Sequence, residues 1–120
     1  MAFINDLVFD NGLGYADTNG TKLDICSAEP ANFAGIAAVT LGNDTVNTGA
    51  PEAGAVDGRR VIVPAITAGS VTATGTASHW ALSDGTTNLI ASGSLSSTQA
   101  VTSGNTFTLD AISITIRDAA

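Results

Sequence analysis

At 120 residues, with 44% hydrophobic but only 5% aromatic side chains, the chain has the length of one domain whose core must come mainly from Val, Ile, Leu and Ala. Eleven acidic against four basic residues give a formal charge of −7, which repels phosphate backbones and anionic lipid and argues against nucleic acid and membrane as partners. The lone Cys26 excludes an internal disulfide and cannot complete a metal site by itself.

Over residues 3–17 the apolar positions Ile4, Leu7, Val8 and Tyr15 recur at helical spacing, with Asn5 or Asp6 placed to cap the start. Asn19 and Gly20 supply the stop, glycine being free to take the left-handed conformation. One helical segment is therefore expected within residues 1–20. The period then changes to two: Leu23 and Ile25 share one face, while Lys22, Asp24 and a partly exposed Cys26 share the other, in a strand that ends before Pro30. Residues 36–41 read as a second strand carrying Val39 and Leu41 on one side.

Residues 42–60 hold four Gly and one Pro without a clear period and read as a long Gly/Ala-rich loop or arm, a kind of segment that is usually mobile or functional. Residues 60–66 follow as a strand in which Pro64 marks an edge or a bulge. Residues 71–77 alternate strictly, Thr72, Thr74, Thr76 and Ser78 facing out and Val71, Ala73, Gly75 and Ala77 facing in. Trp80 and Leu82 point inward along a continuation of that strand or a bend from it. Ser83-Asp84-Gly85 makes a turn and residues 89–92 complete a hairpin. At the end, Phe107, Leu109 and Ala111 form one alternating set and Ile112, Ile114 and Ile116 another, so the long last strand needs a phase shift near Asp110.

Seven or eight short strands with Gly, Asn, Asp and Ser turns predict a mainly β fold, an antiparallel sandwich or small barrel of jelly-roll-like or Ig-like kind. Residues 1–120 form a single domain in this reading. No basic segment precedes an apolar run and no stretch is long enough to span a bilayer, so the chain is expected to begin at or near Met1 and to be made in the cytosol.

Catalytic patterns are sparse. His79 is the only histidine and sits beside Trp80, where a structural hydrogen-bonding role suits it better than that of a catalytic base, and no Gly-x-Ser-x-Gly elbow occurs. Glu29, Glu52, Asp57 and Asp84 each fall in presumed turns, where carboxylates cap backbone N–H groups. Asp17-Thr18-Asn19-Gly20 opens like a calcium loop but lacks the closing acidic ligand. Neither cofactor nor metal is expected, and no catalytic residue is assigned. Asp57-Gly58-Arg59-Arg60 concentrates half of the basic side chains beside the long loop. Arg59 and Arg60, with Asp57 and Glu52, are the candidate partner-binding residues: a guanidinium can clamp a carboxylate on another chain, or pair internally with Asp57.

In Leu23-Asp24-Ile25-Cys26-Ser27-Ala28-Glu29-Pro30, in Asp57-Gly58-Arg59-Arg60, in Ser78-His79-Trp80-Ala81-Leu82-Ser83-Asp84-Gly85 and in residues 99–107, Gln-Ala-Val-Thr-Ser-Gly-Asn-Thr-Phe, the chain resembles small structural proteins of tailed bacteriophages and prophages. The resemblance is one of length, order and composition, and transfers no site residue. It implies a capsid decoration or cement protein on the outer head surface of the virion, made in the host cytoplasm. Its partner would be the major capsid protein, and it would be a homo-oligomer, commonly a trimer. A tail or tail-tip component with an adhesive role, partnered by tail proteins, is the alternative, and an enzyme such as a cell-wall hydrolase a third possibility.

Overall fold

The computed structural model describes residues 6–56 and 58–116, with side chains from residue 11 onward. The order is α1 (Asp6–Asn19), β1 (Lys22–Cys26), α2 (Phe33–Val39), β2 (Thr40–Thr45), β3 (Glu52–Ala53), β4 (Arg59–Val63), β5 (Ile66–Val71), β6 (Gly75–Ser83), β7 (Leu89–Val101), β8 (Thr106–Leu109) and β9 (Ile112–Ile116). Six strands form one sheet in the order β7-β6-β1-β2-β5-β8, and three form another in the order β3-β4-β9. Every pairing is antiparallel. The sheets curl into a half-barrel with α1 as its N-terminal helix, so the expected mainly β fold of the small sandwich and barrel class is what the chain adopts.

The two sheets share one ribbon. Val63 faces Ile112 and Ile66 faces Leu109 in the same register, so β4 and β5 on one side and β9 and β8 on the other are a single antiparallel pair. It bends at Pro64-Ala65 and at Asp110-Ala111, where both chains leave one sheet for the other. Proline cannot donate to a ladder, and a corner between sheets is a place where no donor is needed. The expected phase shift near Asp110 is this corner. The long last strand is thereby corrected to two short ones in different sheets, and β4 is the centre of its sheet, not an edge.

Three further expectations are corrected. Residues 33–39 are helical because Asn32 caps them, its side chain accepting from Gly35 N at 2.8 Å, and because the Ala-rich sequence that weakens a strand favours a helix. Residues 71–77 are not one strand: Val71 ends β5, Gly75 starts β6, and in the connection between them Thr74 Oγ1 accepts from Ser103 N at 3.0 Å. Residues 42–60 are no free arm. Residues 42–45 belong to β2, Val46 N donates to Thr21 O, buried Thr48 donates to Gly20 O at 2.9 Å, and Gly49 N donates to Ile62 O.

Helix α1 ends at Asn19 as expected, but Gly20 is not left-handed: positive φ among the described residues occurs at Gly58, Gly85 and Gly104. What Gly20 supplies is room, since a Cβ there would meet Ala16 O at 2.5 Å and Leu82 at 3.0 Å. Leu13 and Ala16 pack the helix on Val61, while Tyr15 turns outward. Asn5 and Ile4 lie outside the described residues, as do the side chains of Leu7 and Val8.

The main core lies inside the half-barrel, around Leu23, Ile25, Leu82, Val63, Val71 and Phe107. Apolar burial stabilises at about 25 cal/mol per Å². Phe107 lies across Gly69, its cross-strand partner, so closely that a Cβ at Gly69 would overlap the ring. The outer face of β1 is covered as well: Cys26 and Ala81 pack under Ile36 of α2. Cys26 is therefore fully buried, against the expectation of partial exposure.

Candidate functional site

The sequence-derived partner residues meet on the small sheet. Glu52 and Arg60 are cross-strand neighbours on β3 and β4, and Arg60 Nη2 lies 3.9 Å from Glu52 Oε2. Arg60 Nη1 donates to Ser113 Oγ at 3.4 Å, and Arg59 Nη2 donates to Pro51 O at 3.5 Å. The Glu52 side chain is half exposed, so the ion pair is screened and contributes about 0–1 kcal/mol. Asp57 lies outside the described residues. The guanidinium of Arg60 thus splits its terminal nitrogens between Glu52 and β9, holding a two-residue strand in place, and is not laid out as a bidentate clamp. Ile116, the partner of Arg59 in register, is exposed, as is Val56 in the connection before β4. Aliphatic and arginine side chains side by side have the composition of interface surface.

The sheet edges form a second region. In the large sheet these are β7 and β8, and in the small one β3 and β9. None of β7, β8 or β9 contains a charged residue or a proline. β7 is thirteen residues long, and only its last residue, Val101, is buried. It also bulges: residues 95–98 stand opposite the single Ser78, between the pairs Ala77 with Gln99 and His79 with Ser94. The bulge opens a cavity of about 360 Å³ at the seam between β7 and the corner of β8 and β9, lined by Trp80, Leu95, Ser97, Gln99, Thr108 and Ile112. Gln99 Nε2 crosses the seam to Thr108 O at 3.1 Å. Trp80 is half-buried, with its indole against Gly93, where a Cβ would come within 3.0 Å.

The ionisable groups occupy contrasting places. Asp84 Oδ1 accepts from Thr86 N, Thr87 N and Asn88 N at 2.9, 2.8 and 3.0 Å. These donors hold its carboxyl well below the usual carboxylate range. It caps the β6–β7 turn, as its neighbours in the sequence suggested. Asp24 is 1% exposed. Its Oδ2 accepts from Thr40 Oγ1 at 2.7 Å while its Oδ1 has no partner, and burial pushes its carboxyl above the ordinary range despite Thr40 and the charge of Lys22. Burial and the adjacent Asp24 push the Cys26 thiol up to about 12, so it is neutral and unreactive at physiological pH. His79 Nδ1 lies 2.8 Å from Ser78 Oγ, which donates to Ser27 O at 3.0 Å. Among the described residues no group of three or more His, Cys, Asp or Glu side chains could hold a metal ion, and no helix is long and apolar enough to cross a membrane.

Sequence reasoning missed Asp24 and the bulge of β7. Asp24 sits on what period-two alternation marks as the solvent face, and only the recognition of α2 as a helix covering that face would have exposed the error. The three excess residues at 95–98 cannot be seen without knowing that residue 77 pairs with residue 99 and residue 79 with residue 94. No family model, curated protein or solved structure matches the chain.

Proposed function

We propose that the protein is a structural component of a virion, a capsid decoration or cement protein that binds the outer surface of the head and assembles with copies of itself there. The observation that carries this reading is the thirteen-residue, uncharged edge strand β7. An unpaired strand presents a row of N–H and C=O groups that another strand can complete, and folded monomers usually blunt such edges with Lys, Pro, bulges or very short strands. Here β3 is short and charged, β8 and β9 are short but carry neither charge nor proline, and β7, bulged at residues 95–98, keeps uncharged ladder on both sides of the bulge. Main-chain pairing supplies affinity in strand addition without any specialised side chain. Arg59 pairs with Ile116 at the end of β9, and the exposed Ile116 extends the contact surface. The role so assigned is structural and requires no reacting group.

The test is cosedimentation of the purified protein with expanded, DNA-filled heads. Binding at micromolar protein supports the proposal. Recovery of the protein only in the tail fraction of disrupted particles overturns it and leaves a tail or tail-tip component, for which the seam cavity with its aromatic wall and polar rim would be the adhesive site; adherence of labelled protein to host cells then distinguishes that role.

A further inference from the structure

The seam cavity between β7 and the corner of β8 and β9 is lined by chain that carries almost no charge. Between Asp84 and Asp110 no residue is charged, and among the described residues lining the cavity the carboxylate of Asp110 is the single ionisable group. The polar groups there are uncommitted. Ser94, Ser96 and Ser97 are exposed in and beside the bulge, and their hydroxyls, like that of Thr108, make no hydrogen bond among the described residues. Gln99 is fixed at the seam by its Nε2, which donates to Thr108 O at 3.1 Å. Its Oε1 accepts no bond, Trp80 Nε1 donates none, and neither atom is buried. The indole of Trp80, seated against Gly93, shares the cavity with the aliphatic side chains of Leu95 and Ile112.

We propose that the seam cavity binds a neutral sugar, whose pyranose ring packs its C–H face on the Trp80 indole while its hydroxyls bond to Gln99 and to the serines of the bulge. A pyranose has an apolar C–H face and a rim of hydroxyls, each both donor and acceptor, and partly positive C–H groups are attracted to the negative face of an aromatic ring. The lining matches both parts, with an indole and aliphatic neighbours for the ring and an amide and free hydroxyls for the rim. Charged ligands are disfavoured: an anion would meet Asp110 and no cation, and a cation would find one exposed carboxylate, which contributes little. A purely apolar ligand would strip water from the amide and hydroxyls without replacing it. The volume of about 360 Å³ lies at the low end of the about 300–1,000 Å³ usual for small-molecule pockets, which suits a mono- or disaccharide. This inference goes beyond the head-surface reading and does not rest on it: sugar binding belongs to the free chain, so the failure of either proposal leaves the other standing.

Trp80 is the only tryptophan, so its fluorescence reports on the cavity directly. The full chain is titrated with methyl β-D-glucopyranoside, methyl β-D-galactopyranoside and N-acetyl-D-glucosamine, with D-glucuronate and sorbitol as controls, and the amide resonances of residues 93–99 and 108–112 are followed in parallel. At least one of the neutral sugars should shift the Trp80 emission and those resonances with a Kd on the order of 1 mM. Glucuronate, which adds a negative charge, and sorbitol, which has hydroxyls but no ring face, should bind at least about tenfold more weakly than the best of them. Gln99→Ala should weaken binding about three- to tenfold, the loss expected for one hydrogen bond, and Trp80→Leu, read by the resonances, should abolish it. No response to any of the neutral sugars at concentrations on the order of 10 mM overturns the proposal, as does an equal response to sorbitol or a folded Gln99→Ala that binds as the parent does. Trp80 also packs against the main core, and where Trp80→Leu does not fold, the comparison of ligands on the unmodified chain and Gln99→Ala decide the matter.

Discussion

Strands β1 and β7 belong to the same sheet, one strand apart, and differ in almost every physical respect. β1 has five residues, four of them buried, with the core on one face and α2 on the other. β7 has thirteen, of which one is buried, and borders solvent along an edge with no charge on it. On the proposed reading the contrast would separate stability from association: β1 holds the half-barrel together through burial on both faces, while β7 packs only Ile90, Ala91, Leu95 and Val101 against the main core and lies at the sheet edge. Substitutions in the two strands should therefore move different observables.

The largest effect is expected at the centre. Ile25→Ala or Leu82→Ala leaves a cavity in the core and should lower stability by about 2–5 kcal/mol in denaturant unfolding, with loss of assembly only through unfolding. Gly42→Ala comes next, at about 1–3 kcal/mol, because its Cβ would press on the backbone of Ser70 and Val71 across the β2–β5 pair. The same change at Gly93 sharpens the contrast, since the obstacle there is the movable indole of Trp80 at the edge; it should cost less than Gly42→Ala.

A smaller, pH-dependent difference separates the carboxylates. Asp24 has a carboxyl raised by burial, so its contribution is intact at acid pH and is lost as pH rises through its raised value in the folded state. Asp24→Asn, neutral at every pH, should be relatively more stable than the parent at neutral pH than at mildly acid pH. Asp84 is lowered by its three N–H donors, so its contribution is present above the ordinary carboxylate value and is lost as pH falls. Thermal unfolding of Asp84→Ala should show a deficit at neutral pH that closes on acidification. A common slope for the two variants would refute these assignments.

How far the fold could be read follows from the same physics. Period-two burial located β1, the turn at Asp84 and the hairpin after it, because each is a local pattern with a turn signal at its end. The strict alternation of residues 71–77 misled, since Thr hydroxyls that suit a solvent face also suit a turn, and a run of small residues on the other face carries no mark of direction. The corner at Asp110 showed as a change of phase in the isoleucines, but its partner at Pro64 and the shared ribbon depend on pairing that sequence alone does not supply. For the candidate site, Glu52 and Arg60 were legible as charged residues near the loop, though not as cross-strand neighbours. Asp24 was not legible at all, because its burial depends on a helix that begins only at Phe33.

The smallest effect on stability and the most direct test of the account coincide in β7. Ser96→Lys places a charge on the exposed edge, where stability should change by no more than about 0.5 kcal/mol. Sedimentation of the parent and of Ser96→Lys, alone and with expanded heads, should show self-association and head binding for the parent and loss of both for the variant, with unfolding curves that superimpose. Undiminished assembly of the folded variant, or a parent that stays monomeric and unbound to heads, would contradict the claim that the uncharged edges of the half-barrel are its working surface.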